Sequence, residues 1–204
     1  EFLEGFSGYL HADGYAGYHS LPESIVVVGC WAHARRKFDE ALNSIPEKER
    51  EGSAALTGKR YCDKLFAIEK ELEKLSPESR FEERQEQAKP VLDELLSWLK
   101  VQKAAPKSAL GKAVYYTLGQ WQYLERYLED GRLEISNNRA ERSIKPFVID
   151  RKNFLFVNTP RGATGSAVMF SIIETAKENG LNPYKYLTFI FREAPNMELD
   201  DLQQ

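Results

Sequence analysis

The amino-acid sequence predicts an α/β fold that is predominantly helical, and three observations lead there. A short alternating segment, Gly8-Tyr9-Leu10-His11-Ala12, and a β-branched run, Ile25-Val26-Val27-Val28, lie near the N-terminus. Long stretches with apolar residues three and four apart fill the middle of the chain. Two further helical patterns, bounded by clear start and stop signals, close it.

The first segment ends at Asp13-Gly14, two residues that tolerate the backbone angles of a tight turn. Asp13 is therefore expected at the C-terminal end of a strand. The run at 25–28, bounded by Pro22 and Gly29, reads as a strand buried on both faces of a sheet. Residues 14–21 leave room for a turn of helix between them, and a helix is expected over 31–42. The result is a strand-helix-strand-helix unit of an α/β layer.

From Pro46 to Gly131 the apolar period becomes helical. Leu65, Ile68, Leu72 and Leu75 mark one helix, which Ser76-Pro77 breaks. Val91, Leu92, Leu95, Leu96 and Leu99 mark a second, which Pro90 should begin or kink. Leu110, Val114, Trp121 and Leu124 predict a third over 109–128, ending at Asp130-Gly131. Together they read as a hairpin-like helical insertion.

After Gly131, Ser136-Asn137-Asn138 offers caps for a short helix over 139–145, which Pro146 should stop. Residues 154–157 read as a short strand, and Thr159-Pro160-Arg161-Gly162 as a loop. A helix over 166–178 should end at Asn179-Gly180. Asn182-Pro183 should start the last one, with Tyr186, Leu187, Ile190 and Phe191 facing inward. The acidic tail beyond Pro195 is expected to fray.

With 204 residues, 42% of them hydrophobic, the chain can bury one ordinary core or two small ones. Its apolar runs are too short to span a membrane. It starts Glu1-Phe2-Leu3-Glu4, with neither an initiator Met nor a secretory leader, and is expected to begin inside a longer polypeptide. Cys30 and Cys62 fit a reducing cytoplasm; Cys30 with His33 offers two zinc ligands where a structural site needs four. The net charge of −3 argues against indiscriminate coating of nucleic acid, yet the charge is uneven. Fifteen acidic and eleven basic residues lie between Asp39 and Lys100, whereas Arg139 to Lys152 holds five basic residues against Glu141 and Asp150. Arg35-Arg36-Lys37 adds a second basic cluster.

Asp13 is a candidate site residue, because a carboxylate at the end of such a strand points into the crevice where α/β sheets bind ligands. An Asx turn explains the same dipeptide. Glu141 is the second candidate, with Arg139, Arg142 and Lys145 around it to hold a phosphate backbone. A solvated, salt-bridged helix reads alike. Together the two acids suit a divalent-metal site for phosphodiester chemistry, which gathers carboxylates from distant parts of a chain. Trp98, Trp121, Tyr115, Tyr116, Tyr123 and Tyr127 can stack on bases or, at helical spacing, make core.

Three longer segments are more specific: His11-Ala12-Asp13-Gly14-Tyr15-Ala16-Gly17-Tyr18, Gly29-Cys30-Trp31-Ala32-His33-Ala34-Arg35-Arg36-Lys37-Phe38, and Ser136-Asn137-Asn138-Arg139-Ala140-Glu141-Arg142. With Arg151-Lys152-Asn153-Phe154-Leu155-Phe156, Ser171-Ile172-Ile173-Glu174-Thr175-Ala176-Lys177 and Asn179-Gly180-Leu181-Asn182-Pro183, they resemble, in order, the transposases of insertion sequence family sixty-six. The resemblance implies a partial RNase H-like core with an Asp-Asp-Glu metal site, interrupted by a helical insertion and followed by C-terminal helices. Residues 1–45 would be the core segment with the second Asp, Asp13. Residues 46–131 would be the insertion, and 132–204 the Glu141 helix with the C-terminal helical segment.

The activity so implied is metal-dependent phosphodiester hydrolysis and strand transfer at transposon ends, with Mg2+ or Mn2+ held by Asp13 and Glu141 in the complete site. The family's first Asp lies upstream of the segment resembling residues 2–13, so this chain by itself is expected to be inactive. The alternative is a catalytically inactive fragment acting as a DNA-binding or oligomerisation module. His33, Arg35, Arg36, Arg142, Lys145, Arg151 and Lys152 are the expected DNA contacts. Expected partners are transposon-end DNA, target DNA and further copies in a transposition complex, with no membrane. The expected setting is a bacterial, nucleoid-associated cytoplasmic one.

Overall fold

The computed structural model describes residues 3–150 and 159–196, apart from the side chains of residues 16, 19 and 150. The described chain is predominantly helical, with a small parallel sheet of two strands. β1 (Gly8–Ala12) pairs with β2 (Ile25–Gly29), Gly8 opposite Ile25 and Ala12 opposite Gly29. Parallel pairing needs a crossover, and the segment between the strands carries a 3-10 turn at Ala16–Ser20. β-Branched Ile25, Val27 and Val28 are buried, as the apolar run predicts.

The Gly8 amide donates to the Ser24 carbonyl at 2.8 Å. Backbone groups alternate between the two edges of a strand, so those of Val27 face away from β1. There Arg126 donates to the Val27 carbonyl at 2.8 Å, which covers this edge position.

α1 (Trp31–Asn43) follows β2 and buries Trp31, Ala34, Phe38, Ala41 and Leu42 at helical spacing. Trp31 is fixed twice: its backbone amide donates to the Ile135 carbonyl at 3.1 Å and its indole to the Leu124 carbonyl at 2.9 Å.

The insertion opens with α2 (Ala54–Leu72), whose first turn is capped by Ser53. Leu75, grouped with this helix by spacing, lies beyond its end and is exposed. α3 (Pro77–Glu83), a π-turn (Arg84–Ala88) and α4 (Lys89–Val101) run on from one another, with Pro90 at the start of α4, directly after the π-turn. α5 (Ala109–Gly119) starts at its Ser108 cap. The single helix expected over 109–128 breaks after Gly119. Gln120 leaves helical geometry, and α6 (Trp121–Leu124) and a 3-10 turn (Glu125–Leu128) continue in its place. Contact with β2 accounts for the break: a Cβ on Gly29 would lie 3.0 Å from the Leu124 nitrogen, so this stretch lies directly against the strand.

Val28, Trp31, Ala34 and Phe38 share one core with Cys62 and Leu65 of α2, Leu95 and Leu99 of α4, and Val114 of α5. Burying a large apolar side chain is worth roughly 1.5–3 kcal/mol, so α1 depends on the insertion for much of its packing.

By internal contacts the chain forms two compact units, residues 1–138 and 139–204. α7 (Asn138–Asp150) continues through Pro146, where the sequence placed its end. The proline removes the bond to the Arg142 carbonyl, and because Arg142 is exposed, water can satisfy that group. α8 (Pro160–Glu178) also starts earlier than expected. Residues 159–162 are its cap and first turn rather than a loop, with the Thr159 hydroxyl accepting the Gly162 amide at 3.1 Å and Pro160 leading the helix.

α8 ends at Asn179 and Gly180, and the Asn182 cap starts α9 (Pro183–Glu193). Tyr186, Leu187 and Ile190 are half-buried, but Phe191, expected to face inward, is 64% exposed: one position past Ile190, it is turned about 100° around the helix from it. The strand expected at 154–157 and the tail from 197 lie outside the described residues.

Candidate active site

Asp13 stands directly after β1, beyond buried Ala12, and its side chain is exposed. Gly14 takes φ +87°, a conformation that favours glycine, and lets the chain turn at once. The Asp13 carboxylate accepts the Tyr15 amide at 3.2 Å, so the Asx turn and the strand-end position are both present. From the insertion, the Tyr116 hydroxyl donates to the Asp13 backbone carbonyl at 3.1 Å. The Lys37 ammonium lies 5.1 Å from the Tyr116 ring centroid, a cation–π contact. Burial pushes the Tyr116 phenol up to about 12.

His11, two residues before Asp13, has both ring nitrogens buried with no hydrogen-bond partner among the described residues. Burial pushes its pKa down, with the Glu134 carboxylate acting in the opposite direction.

The α1 cluster divides into two roles. Arg35 donates to Asp63 at 2.5 Å, and Lys59 reaches the same carboxylate at 2.8 Å. Burial alone would raise the Asp63 carboxyl, yet these two hydrogen-bonded cations outweigh it and hold it below its ordinary range. Arg36 is exposed beside Arg35, and both line an open cleft of about 510 Å3 with Asp39, Asp63 and Phe66. His33 is half-buried on the same helix. Cys30 and Cys62 are buried without a disulfide; burial pushes the Cys62 thiol up to about 12, which leaves it inert.

In the second unit, Glu141 is half-buried in the first turn of α7, and Arg142 and Lys145 are exposed on the same helix. Arg139 forms an ion pair with Glu178 of α8. Arg151 and Lys152 lie outside the described residues. Among the described residues, no group of three or more His, Cys, Asp and Glu side chains is placed to hold a metal ion. Carboxylates such as those of Asp13 and Glu141 are the type of oxygen donor that a hard divalent cation takes.

Two side chains that the sequence did not single out as site residues make long-range contacts. Tyr116 stood among aromatics at helical spacing, with nothing nearby in sequence to mark its bond to Asp13. Arg84, in an acidic stretch, is fully buried and spends all five of its N–H donors: two on Glu69 and the rest on the Tyr127, Asp130 and Leu133 carbonyls. It thereby ties down the segment that leads to α7.

No described helix is long and apolar enough to cross a membrane. Residues 1–165 match the family described as Transposase IS66 family, that is, insertion sequence family sixty-six, and residues 171–204 match the IS66 C-terminal element. Two uncharacterized proteins of Sinorhizobium fredii (strain NBRC 101917 / NGR234), y4qI and y4hP, are similar to it, at 36% and 33% identity over 198 and 200 residues. Each match covers 91% of this chain but 36% of the relative, so the chain spans about a third of the length of these relatives. No solved structure matches it. With most of its length matched in order by these two descriptions, the chain belongs to the IS66 family of transposases.

Proposed function

We propose that the full-length protein is a metal-dependent DNA transposase that cuts phosphodiester bonds at transposon ends and joins the freed 3′-hydroxyl to target DNA. Asp13 and Glu141 are two of its acidic ligands. The observation that carries this reading is Asp13 at the carboxyl end of a parallel strand, in a chain of this family. Asp13 retains acceptor capacity beyond the bond from the Tyr15 amide, and magnesium favours such oxygens. A third carboxylate is assigned to another part of the longer polypeptide. When bound, the metal supplies an activated oxygen nucleophile and a stabilised leaving oxygen.

The chain's own contribution is placement. β1 and its turn hold the Asp13 carboxylate at the rim of the sheet, and α7 carries Glu141 beside Arg142 and Lys145, whose charges suit a phosphate backbone. Arg36 over the α1 cleft is a further phosphate contact, with His33 and Arg35 beside it, and Arg151 and Lys152 extend the basic stretch beyond α7. The partners are transposon-end DNA, target DNA and further copies in a transposition complex on the nucleoid. Taken alone, these 204 residues are expected to bind DNA without cutting it, because two acids leave the metal short of ligands.

The test uses the full-length protein, an oligonucleotide carrying the transposon end, and magnesium or manganese. Glu141→Gln and Asp13→Asn should each lower cleavage by more than roughly a hundredfold while DNA affinity stays near that of the parent. Undiminished cleavage by either variant refutes the role given to that residue.

A further inference from the structure

The insertion reaches the Asp13 turn through the Tyr116 hydroxyl, whose 3.1 Å bond to the Asp13 carbonyl joins positions 103 residues apart. The ring that carries it is held in place by α5 and by the Lys37 ammonium. The next residue fits as closely: a Cβ on Gly14 would lie 3.1 Å from the Tyr116 hydroxyl and equally near the Gln120 side chain. The turn backbone therefore rests against the end of α5, and the Tyr15 amide donates to its carboxylate at 3.2 Å. Packing does not require this oxygen, since phenylalanine would fill nearly the same volume and keep the ring near Lys37.

We infer that Tyr116 is a positioning residue for Asp13: through this one hydroxyl the helical insertion fixes the turn that aims the carboxylate. The inference rests on Asp13 being an acid of the transposase centre. A neutral hydrogen bond near the surface adds little to overall stability, whereas a misplacement of roughly 1 Å at a reacting centre can cost about a hundredfold in rate. Loss of the hydroxyl should therefore register in catalysis far more than in folding.

The experiment compares Tyr116→Phe, Tyr115→Phe and Asp13→Asn in the full-length protein. Tyr115 is the exposed neighbour on the same helix and serves as the control. For each variant the readouts are kcat for cleavage, affinity for the transposon-end oligonucleotide, thermal midpoint, and amide hydrogen exchange at Gly14 and Tyr15. Tyr116→Phe should lower kcat roughly tenfold and speed exchange at these two amides, with affinity, melting and Tyr115→Phe unchanged. Parent-like kcat and exchange in Tyr116→Phe, together with an inactive Asp13→Asn, overturn the positioning role alone. A kcat loss matched by a fall in thermal midpoint, or shared by Tyr115→Phe, overturns it as well. Cleavage that survives in Asp13→Asn removes the premise and the inference together.

Discussion

Arg84 and Glu69 form a two-pronged ion pair inside the insertion, at 2.8 Å and 2.6 Å, with the guanidinium fully buried and 5.1 Å from the centroid of the Tyr127 ring. The same guanidinium caps three backbone carbonyls at the end of the insertion. Its geometry, rather than its charge alone, accounts for the choice of arginine, since a lysine ammonium has three donors and no planar fork.

Arg84→Met should destabilise the protein by roughly 3–5 kcal/mol, because it leaves the largely buried Glu69 carboxylate and three carbonyls without their donor. Replacing both members, Arg84→Met with Glu69→Met, should recover part of that loss. Urea unfolding of the single and double variants measures the difference. A single variant as stable as the parent removes Arg84 from its structural role.

Gly131→Ala should destabilise by about 1–3 kcal/mol, because a Cβ there would lie 1.8 Å from the Pro77 carbonyl oxygen, a backbone atom that cannot swing away. Gly119→Ala, with nothing within 4 Å, is the matched control and should be close to neutral. Thermal melting of the two proteins side by side tests the contrast.

The hydrogen bonds from Arg132 hold the Asp130 carboxyl at about 2, against an ordinary 3.8. A depressed folded-state pKa contributes stability that is present above the ordinary value and lost as pH falls through the folded one. Stability measured between pH 4 and pH 2 should therefore fall less steeply in Asp130→Asn than in the parent. Identical slopes would remove Asp130 from the acid response.

Arg142→Ala and Lys145→Ala in the full-length protein should weaken DNA binding similarly for transposon-end and unrelated sequences. Each should also lower the magnitude of the slope of log affinity against log salt by about 0.9, the value for one phosphate contact. Both side chains are exposed on α7, so neither change should disturb folding. An unchanged slope would place these residues away from the backbone of the DNA.

The sequence by itself determined the local pieces: both strands, α1, the helical character of the insertion, the Asn182 cap and the turn at Asp13-Gly14. These depend on residues within a few positions of one another, through apolar period, capping side chains and glycine. It also marked Asp13 and Glu141, by resemblance to a family to which the chain belongs.

Only the tertiary structure decided what distant residues do to one another. Arg35 reads in the sequence as a DNA contact, and only the structure shows Asp63 holding it; nothing in the sequence marks Arg84 as the residue that gathers five acceptors. The expected helix over 109–128 breaks because β2 lies against it, and Tyr116 meets Asp13 because α5 packs on α1. The reason is physical: a hydrogen bond between residues far apart in sequence forms only once the core has brought its two ends together, and no local pattern records where that will be.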